Sequence, residues 1–199
     1  QIEHFIGKDI VYFHALFWPA VLNKSGFSLP KKINVHGMLT INGLKMSKSR
    51  GTFINASDFA KHVEPQALRY YFASKYNDES NDLDLSLDDF VAKINSDLVN
   101  KHTNLFSRAA QFLLTKLDGD LGGLPFSPED AQSNEPTDDK LLLLARNVVQ
   151  AARKAEAHYR DRKFSLALRE ITHMADLGNE FMQSEKPWDQ IKENPEKAK

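Results

Sequence analysis

Two lysines three residues apart, Lys45 and Lys48, stand in the stretch Ile41-Asn42-Gly43-Leu44-Lys45-Met46-Ser47-Lys48-Ser49-Arg50-Gly51-Thr52, among hydroxyls and between glycines. Two ammonium groups at that spacing, on a turn whose glycines reach backbone angles closed to other residues, suit a loop that closes on phosphates. A solvated surface turn has the same composition, so composition leaves both readings open. Ser47, Ser49 and Thr52 either donate to phosphate or shape the turn, and the shaping role is preferred. Arg50 either holds the loop or meets phosphate.

Other residues with chemical potential are spread along the chain. His14, Phe17 and Trp18 fall at i, i+3 and i+4 and share one helical face, as core packing or as a pocket wall. Asp9 reads as the N-cap of that helix. Asp82, Asp84, Asp88 and Asp89 are a metal-ligand candidate. Their alternation with Leu83, Leu85 and Leu87 favours instead a short extended segment leading to a helix cap. Lys101, Asn104, Arg108 and Gln111 at i, i+3, i+7 and i+10 form a polar edge, ordinarily the solvated side of an amphipathic helix.

The elements that must position these residues follow from apolar periodicity and breakers. Residues 2–6 read as a buried strand ending at Gly7, followed by a helix from Asp9 to about Leu22 that Asn23-Lys24-Ser25-Gly26 stops. Residues 33–39 read as one second strand. Strand, helix and strand with short links predict a parallel βαβ unit, whose ligands lie beyond the carboxyl ends of the strands. Ser57 or Asp58 is expected to cap a short helix through His62, and Pro65 to start another carrying Leu68, Tyr71 and Phe72, with Tyr70 and Tyr71 packing.

From Leu87, the positions Val91, Ile94, Leu98, Leu105, Ala109 and Phe112 make a long apolar stripe. Residues 118–137, with Gly119, Gly122, Gly123 and three prolines, read as a loop. Thr137, Asp138 and Asp139 open a helix to about Tyr159, and a third runs over 165–182 with Leu168, Ile171, Met174, Ala175 and Phe181 inward. The expected fold is a parallel-sheet α/β part (1–95) followed by an α-helical bundle (96–199).

Composition narrows the classes. With 41% hydrophobic and 27% charged residues the chain is of globular type. Its 26 basic and 27 acidic side chains leave a net charge of -1, so any RNA contact must come from a local patch. It has no cysteine, hence neither disulfides nor thiolate metal sites, and no apolar run near the ~20 residues that span a bilayer. A cytoplasmic protein without membrane partners is expected. The chain starts at Gln1, apparently within a folded motif, and is read as a fragment.

The order of residues adds a resemblance. Lys45-Met46-Ser47-Lys48-Ser49 resembles the KMSKS signature of class I aminoacyl-tRNA synthetases, and with Arg50-Gly51-Thr52-Phe53 it looks like the methionyl-tRNA synthetase version. Gly7-Lys8-Asp9-Ile10-Val11-Tyr12-Phe13-His14 and Asn104-Leu105-Phe106-Ser107-Arg108 resemble the same family. The resemblance spans most of the chain and is weakest over 118–137.

It implies that residues 1–95 are the C-terminal half of a Rossmann-like domain, with ATP and Mg2+ as cofactors and ATP contacts at Gly7, Asp9 (a ribose contact), His36, Leu39, Lys45, Met46, Ser47, Lys48 and Ser49. It also implies a methionine pocket at His14, Phe17 and Trp18, and Lys45 and Lys48 as the catalytic pair, Lys48 foremost. Asn104 and Arg108, with Trp188 after Pro187, are implied as contacts for anticodon bases of tRNA(Met), including the initiator. Methionine, ATP and tRNA are thus the expected partners. The family's HIGH motif, its cysteine knuckle and the rest of its helical domain have no counterpart here, so zinc is expected only in the part of the parent absent from this chain. This stretch alone is expected to be inactive. Two other readings stay open: a tRNA-binding helical module without catalysis, and another nucleotidylyltransferase with a similar lysine loop.

Overall fold

The computed structural model describes residues 2–47, 49, 51–76, 80–120 and 122–193. They divide into two compact units, one of residues 1–91 with 162–165, the other of residues 92–161 with 166–199.

In the first unit, β1 (Glu3–Gly7) and β2 (Lys32–His36) pair in parallel, with Ile6 against Val35 and Gly7 against His36. Ile6 is buried, and so is Asn34 at 2% exposure. The crossover runs through a tight turn Lys8–Ile10 and a wide helical turn Phe13–Phe17 into α1 (Trp18–Lys24). It stops where breakers were expected, at Ser25 and at Gly26 with φ 76°. Asp9 is not the cap. The cap position is Gly7, two residues earlier and without a side-chain cap bond, and Asp9 lies inside the turn.

The strand expected over 33–39 is two strands in two sheets. β2 ends at His36; β3 (Leu39–Ile41) pairs antiparallel with β4 (Leu44–Lys45) and parallel with β5 (Leu83–Leu85). The break falls at Gly37, where the 81–82 backbone passes so close that a Cβ would overlap the Asn81 carbonyl and lie 2.6 Å from the Asp82 nitrogen. Only glycine admits that approach. Asn42 (φ 49°) and Gly43 (φ 75°) form the two-residue hairpin turn between β3 and β4.

α2 (Ala56–Phe59) is capped by Asn55, whose side chain accepts from Ser57 N, and not by Ser57 or Asp58. α3 (Pro65–Lys75) starts at Pro65 as expected. Its Tyr71 is fully buried and packs edge-on against Phe72 and Phe90.

α4 (Leu87–Ile94) continues through wide helical turns over Asn95–Thr103 into α5 (Asn104–Lys116). The inward stripe holds only in part, since Val91 is 53% exposed and Ala109 is exposed. Wide turns take more residues per revolution than an α-helix and rotate one half of the stripe against the other. Asp97 is buried there, paired with Lys93 at 2.8 Å.

Within 118–137 a short helix, α6 (Pro128–Gln132), interrupts the expected loop, closed by a Ser127–Asp130 capping box. α7 (Lys140–Arg160) is capped by Asp139, which accepts from Leu141 N and Leu142 N. α8 (Phe164–Glu185) buries Leu168 and Ala175, and α9 (Pro187–Glu193) follows. The Lys140–Glu185 pair, at 2.8 Å, ties the start of α7 to the end of α8. The architecture is thus a Rossmann-like parallel βα piece followed by a helical bundle.

Candidate active-site loop and nucleic-acid interface

The parallel pair brings Gly7 and His36 side by side at the carboxyl ends of β1 and β2, and Asp9 follows within two residues, exposed. Parallel strands with a crossover helix leave such a crevice at their carboxyl ends. The Lys8 ammonium meets the Asp82 carboxylate at 2.7 Å, and Asp82 also accepts from Met38 N at 2.7 Å. Lys8, and then the Met38 amide, hold the Asp82 carboxyl below the usual carboxylate range. His36 places Nδ1 2.9 Å from Gly37 O. Leu39 lies in the other sheet, half-buried and paired with Leu83.

The lysine loop rises from the β3–β4 hairpin. One carboxylate oxygen of Asp84 accepts from Thr40 Oγ1 at 2.6 Å and from Gly43 N at 2.8 Å, so a neighbouring strand holds the turn. Lys45 pairs with Thr40 in the ladder, and its carbonyl accepts from Thr52 Oγ1 at 3.1 Å. That hydroxyl accepts in turn from Ser47 N, while Thr52 N donates to Ser47 O. Ser47 and Ser49 hydroxyls are 3.0 Å apart, and Met46 is half-buried. The Lys45 side chain is exposed and enters no ion pair with the described residues. Lys48 and Arg50 lie outside the described residues.

Phe17 and Trp18 are 61% and 47% accessible and so are not core within this unit, while His14 is half-buried. Phe13 packs on Phe17 with ring centroids 5.7 Å apart. His14 is oriented by His4, ring edge to ring face at 5.1 Å with the two Nδ1 atoms 3.2 Å apart. Sequence reasoning passed over His4; its signal was position alone, on the strand beneath the helix.

Asp82, Asp84 and Asp89 are each engaged by donors from the chain, Asp89 by the Tyr71 hydroxyl at 2.8 Å and by Lys75. Among the described residues no group of three histidines or carboxylates could hold a metal ion. The acidic run therefore does not fit a dedicated Mg2+ cage.

In the second unit the polar edge of the long helix faces α8. Lys101 Nζ meets Asp176 at 2.8 Å, Asn179 Nδ2 donates to Lys101 O at 3.1 Å, and an Arg108 nitrogen reaches Gln183 Oε1 at 3.4 Å. Asn104 and Arg108 thus line a shallow polar groove together with Asp176, Asn179 and Gln183. The Arg108 guanidinium also lies over the Trp188 indole, 5.2 Å from its centroid. The structure therefore brings together Asn104, Arg108 and the Trp188-bearing turn. Asp176, Asn179 and Gln183 were missed, although their i, i+3, i+7 spacing marks a polar edge on α8 away from Leu168 and Ala175. No helix among the described residues is long and apolar enough to cross a membrane.

A parallel βα unit and a lysine-bearing hairpin, followed by a helical bundle with an Asn/Arg/Trp edge, make a Rossmann-like piece joined to an all-α module. Residues 1–110 match the family described as tRNA synthetases class I (M), and residues 128–199 match the anticodon binding domain of methionyl tRNA ligase. The chain belongs to the class I (M) tRNA synthetase family. It is similar in structure to Mycobacterium tuberculosis methionyl-tRNA synthetase bound by methionyl-adenylate, at 30% identity and TM-score 0.79, over 94% of this chain and 34% of that one. The apo form of the same enzyme matches at 26% identity and TM-score 0.75 over the same shares. The chain thus spans about a third of the length of these relatives.

Proposed function

We propose that the protein carrying this chain is a methionine-tRNA ligase. Residues 1–95 supply the lysine loop and connector of its catalytic domain, and residues 96–199 part of its anticodon-binding domain. The observation that carries this reading is the double match on one chain, to class I (M) synthetases and to the methionyl anticodon-binding domain.

In the proposed reaction a methionine carboxylate oxygen bonds to the α-phosphorus of ATP as the bond to the β-phosphate oxygen breaks, releasing pyrophosphate. A terminal ribose hydroxyl of tRNA(Met), initiator included, then attacks the acyl carbon and AMP leaves. Negative charge grows on the departing pyrophosphate, and Lys45 and Lys48 are assigned to stabilise it without proton transfer. Gly7, Asp9, His36, Leu39, Met46, Ser47 and Ser49 are assigned to ATP, with the Asp9 carboxylate accepting from ribose hydroxyls. His14, Phe17 and Trp18 are assigned to methionine, where aromatic and imidazole groups suit a thioether. Asn104, Arg108 and Trp188 are assigned to unstacked anticodon bases, through amide and guanidinium hydrogen bonds and indole stacking. Mg2+ would neutralise the ATP phosphates; no residue here is assigned to it.

Methionine-dependent ATP–pyrophosphate exchange tests the reading. The protein carrying this chain should exchange with methionine and not with other amino acids, and Lys45→Ala and Lys48→Ala should each lower kcat on the order of a hundredfold. Exchange that is absent or indifferent to methionine would leave the tRNA-binding module or another nucleotidylyltransferase in its place.

A further inference from the structure

We infer that Asp84 and Thr52 are positioning residues for the lysine loop, and that together they fix the backbone of Lys45 from both sides. The inference rests on the assignment of that loop to ATP. Asp84 stands on β5, more than thirty residues beyond the loop in sequence. Its single oxygen Oδ1 takes both the Thr40 hydroxyl and the Gly43 amide, one from the strand before the hairpin turn and one from within it. The turn leading into Lys45 is thereby tied to a neighbouring strand by two hydrogen bonds to a charged acceptor, the stronger kind.

Thr52 does the same beyond Lys45. Its hydroxyl gives its proton to Lys45 O and accepts from Ser47 N, and its amide returns to Ser47 O, so three hydrogen bonds tie Thr52 back to Lys45 and Ser47. Lys45 is held in the β3–β4 ladder on one side and by Thr52 on the other, while its ammonium stays exposed without an acidic partner among the described residues. A cation that must meet charge growing on a phosphate stabilises it most when its support does not reorganise. The fixed main chain and free side chain of Lys45 have that form.

The test uses the protein carrying this chain. Thr52→Val removes the hydroxyl at equal shape and Thr52→Ser restores it; Asp84→Ala removes the acceptor and Asp84→Asn keeps an oxygen in place. The Val and Ala variants should lose about tenfold in kcat for methionine-dependent pyrophosphate exchange with KM for methionine unchanged, and the lost hydrogen bonds should lower the thermal midpoint more in Asp84→Ala than in Thr52→Val. The Ser and Asn variants should stay within about threefold of the parent. In all four proteins hydrogen exchange at the Gly43, Ser47 and Thr52 amides is read beside the rate. Val and Ala should accelerate it about tenfold, and this readout stands even if no amino acid supports exchange of pyrophosphate, the outcome that would remove the ATP assignment alone. Unchanged amide exchange in Thr52→Val and Asp84→Ala, or equal kcat losses in the conservative and disruptive variants, would overturn the positioning role.

Discussion

The guanidinium of Arg108 on α5 covers one face of the Trp188 indole at the start of α9, 5.2 Å from the ring centroid. A partly exposed contact of this kind contributes about 0.5 to 1 kcal/mol, too little to explain the pair as a fold-holding device. Under the proposed function each partner also has its own RNA role, a planar donor fork and a stacking platform. Arg108→Ala and Trp188→Ala should therefore each lower the affinity for an RNA hairpin with a CAU anticodon by about tenfold or more. Their urea midpoints should move little. Arg108→Lys should rescue only the salt-sensitive part, since an ammonium lacks the fork. Fluorescence titrations at two salt concentrations check this. Equal losses on a hairpin with an altered anticodon would reduce the site to phosphate attraction.

Tyr71 holds the other unit together at a point that sequence periodicity marked only as packing. It is fully buried, and its hydroxyl donates to Asp89 at 2.8 Å, with Asp84 O a second, longer acceptor at 3.2 Å that shares the same proton. Burial and then the Asp89 hydrogen bond raise its pKa, so it stays a donor, and the Asp89 contact raises that of Lys75. Tyr71→Phe keeps the ring contacts and should cost about 1 to 3 kcal/mol in urea unfolding, the range for losing a hydrogen bond to a charged group. A loss of only a few tenths would mean that water replaces the hydroxyl.

What was legible in the sequence was local. Gly26 and Pro65 act as breakers within a turn of their position, and Asp139 caps α7 through its own neighbours. The break at Gly37 was not legible, because 33–39 alternates like one strand and the constraint comes from residues 81–82. The phase shift along Asn95–Thr103 was likewise hidden, since no residue there is a breaker. Asn42-Gly43 was legible but went unread: the dipeptide signals a two-residue hairpin, whereas Gly43 was taken only as freedom for the loop. At the candidate sites, residue types marked the lysine loop and the polar edge of α5. Their partners come from other elements: the spacing of Asp176 and Asn179 marks a polar edge on α8, but nothing in the sequence says that this edge meets α5, or that His4 and Asp84 meet His14 and the hairpin.

Three carboxyls, Asp82, Asp130 and Glu185, are held below the carboxylate range by Lys8, by the Ser127 amide and by Lys140 respectively. A group whose folded pKa lies below its unfolded value contributes stability that is present above the unfolded pKa, about 4, and fades as pH falls through the folded value. Urea midpoints should therefore be flat above about pH 5 and drop below it. In Asp82→Asn the gap to the parent protein should be widest near neutrality and narrow with acid. A gap independent of pH would assign the effect of Asp82 to shape and not to charge.

The separation of β2 from β3 depends on one missing methyl group, and Gly37→Ala restores it. The new Cβ would overlap the Asn81 carbonyl and crowd the Asp82 nitrogen, both backbone atoms that cannot rotate away as a side-chain tip would. Relief requires moving 81–82, and with it the Asp82 carboxylate that binds Lys8 and Met38 N. The expected cost is about 2 to 4 kcal/mol in urea unfolding, the upper range for overpacking with backbone displacement. Because β5 begins at Leu83, the displacement also reaches Asp84 and the hairpin it holds. Hydrogen exchange at the Gly43 amide should therefore quicken in Gly37→Ala together with exchange at the Met38 amide. Loss of stability with the Gly43 amide still protected would show that the strain stops at β5 and that the two sheets are mechanically separate.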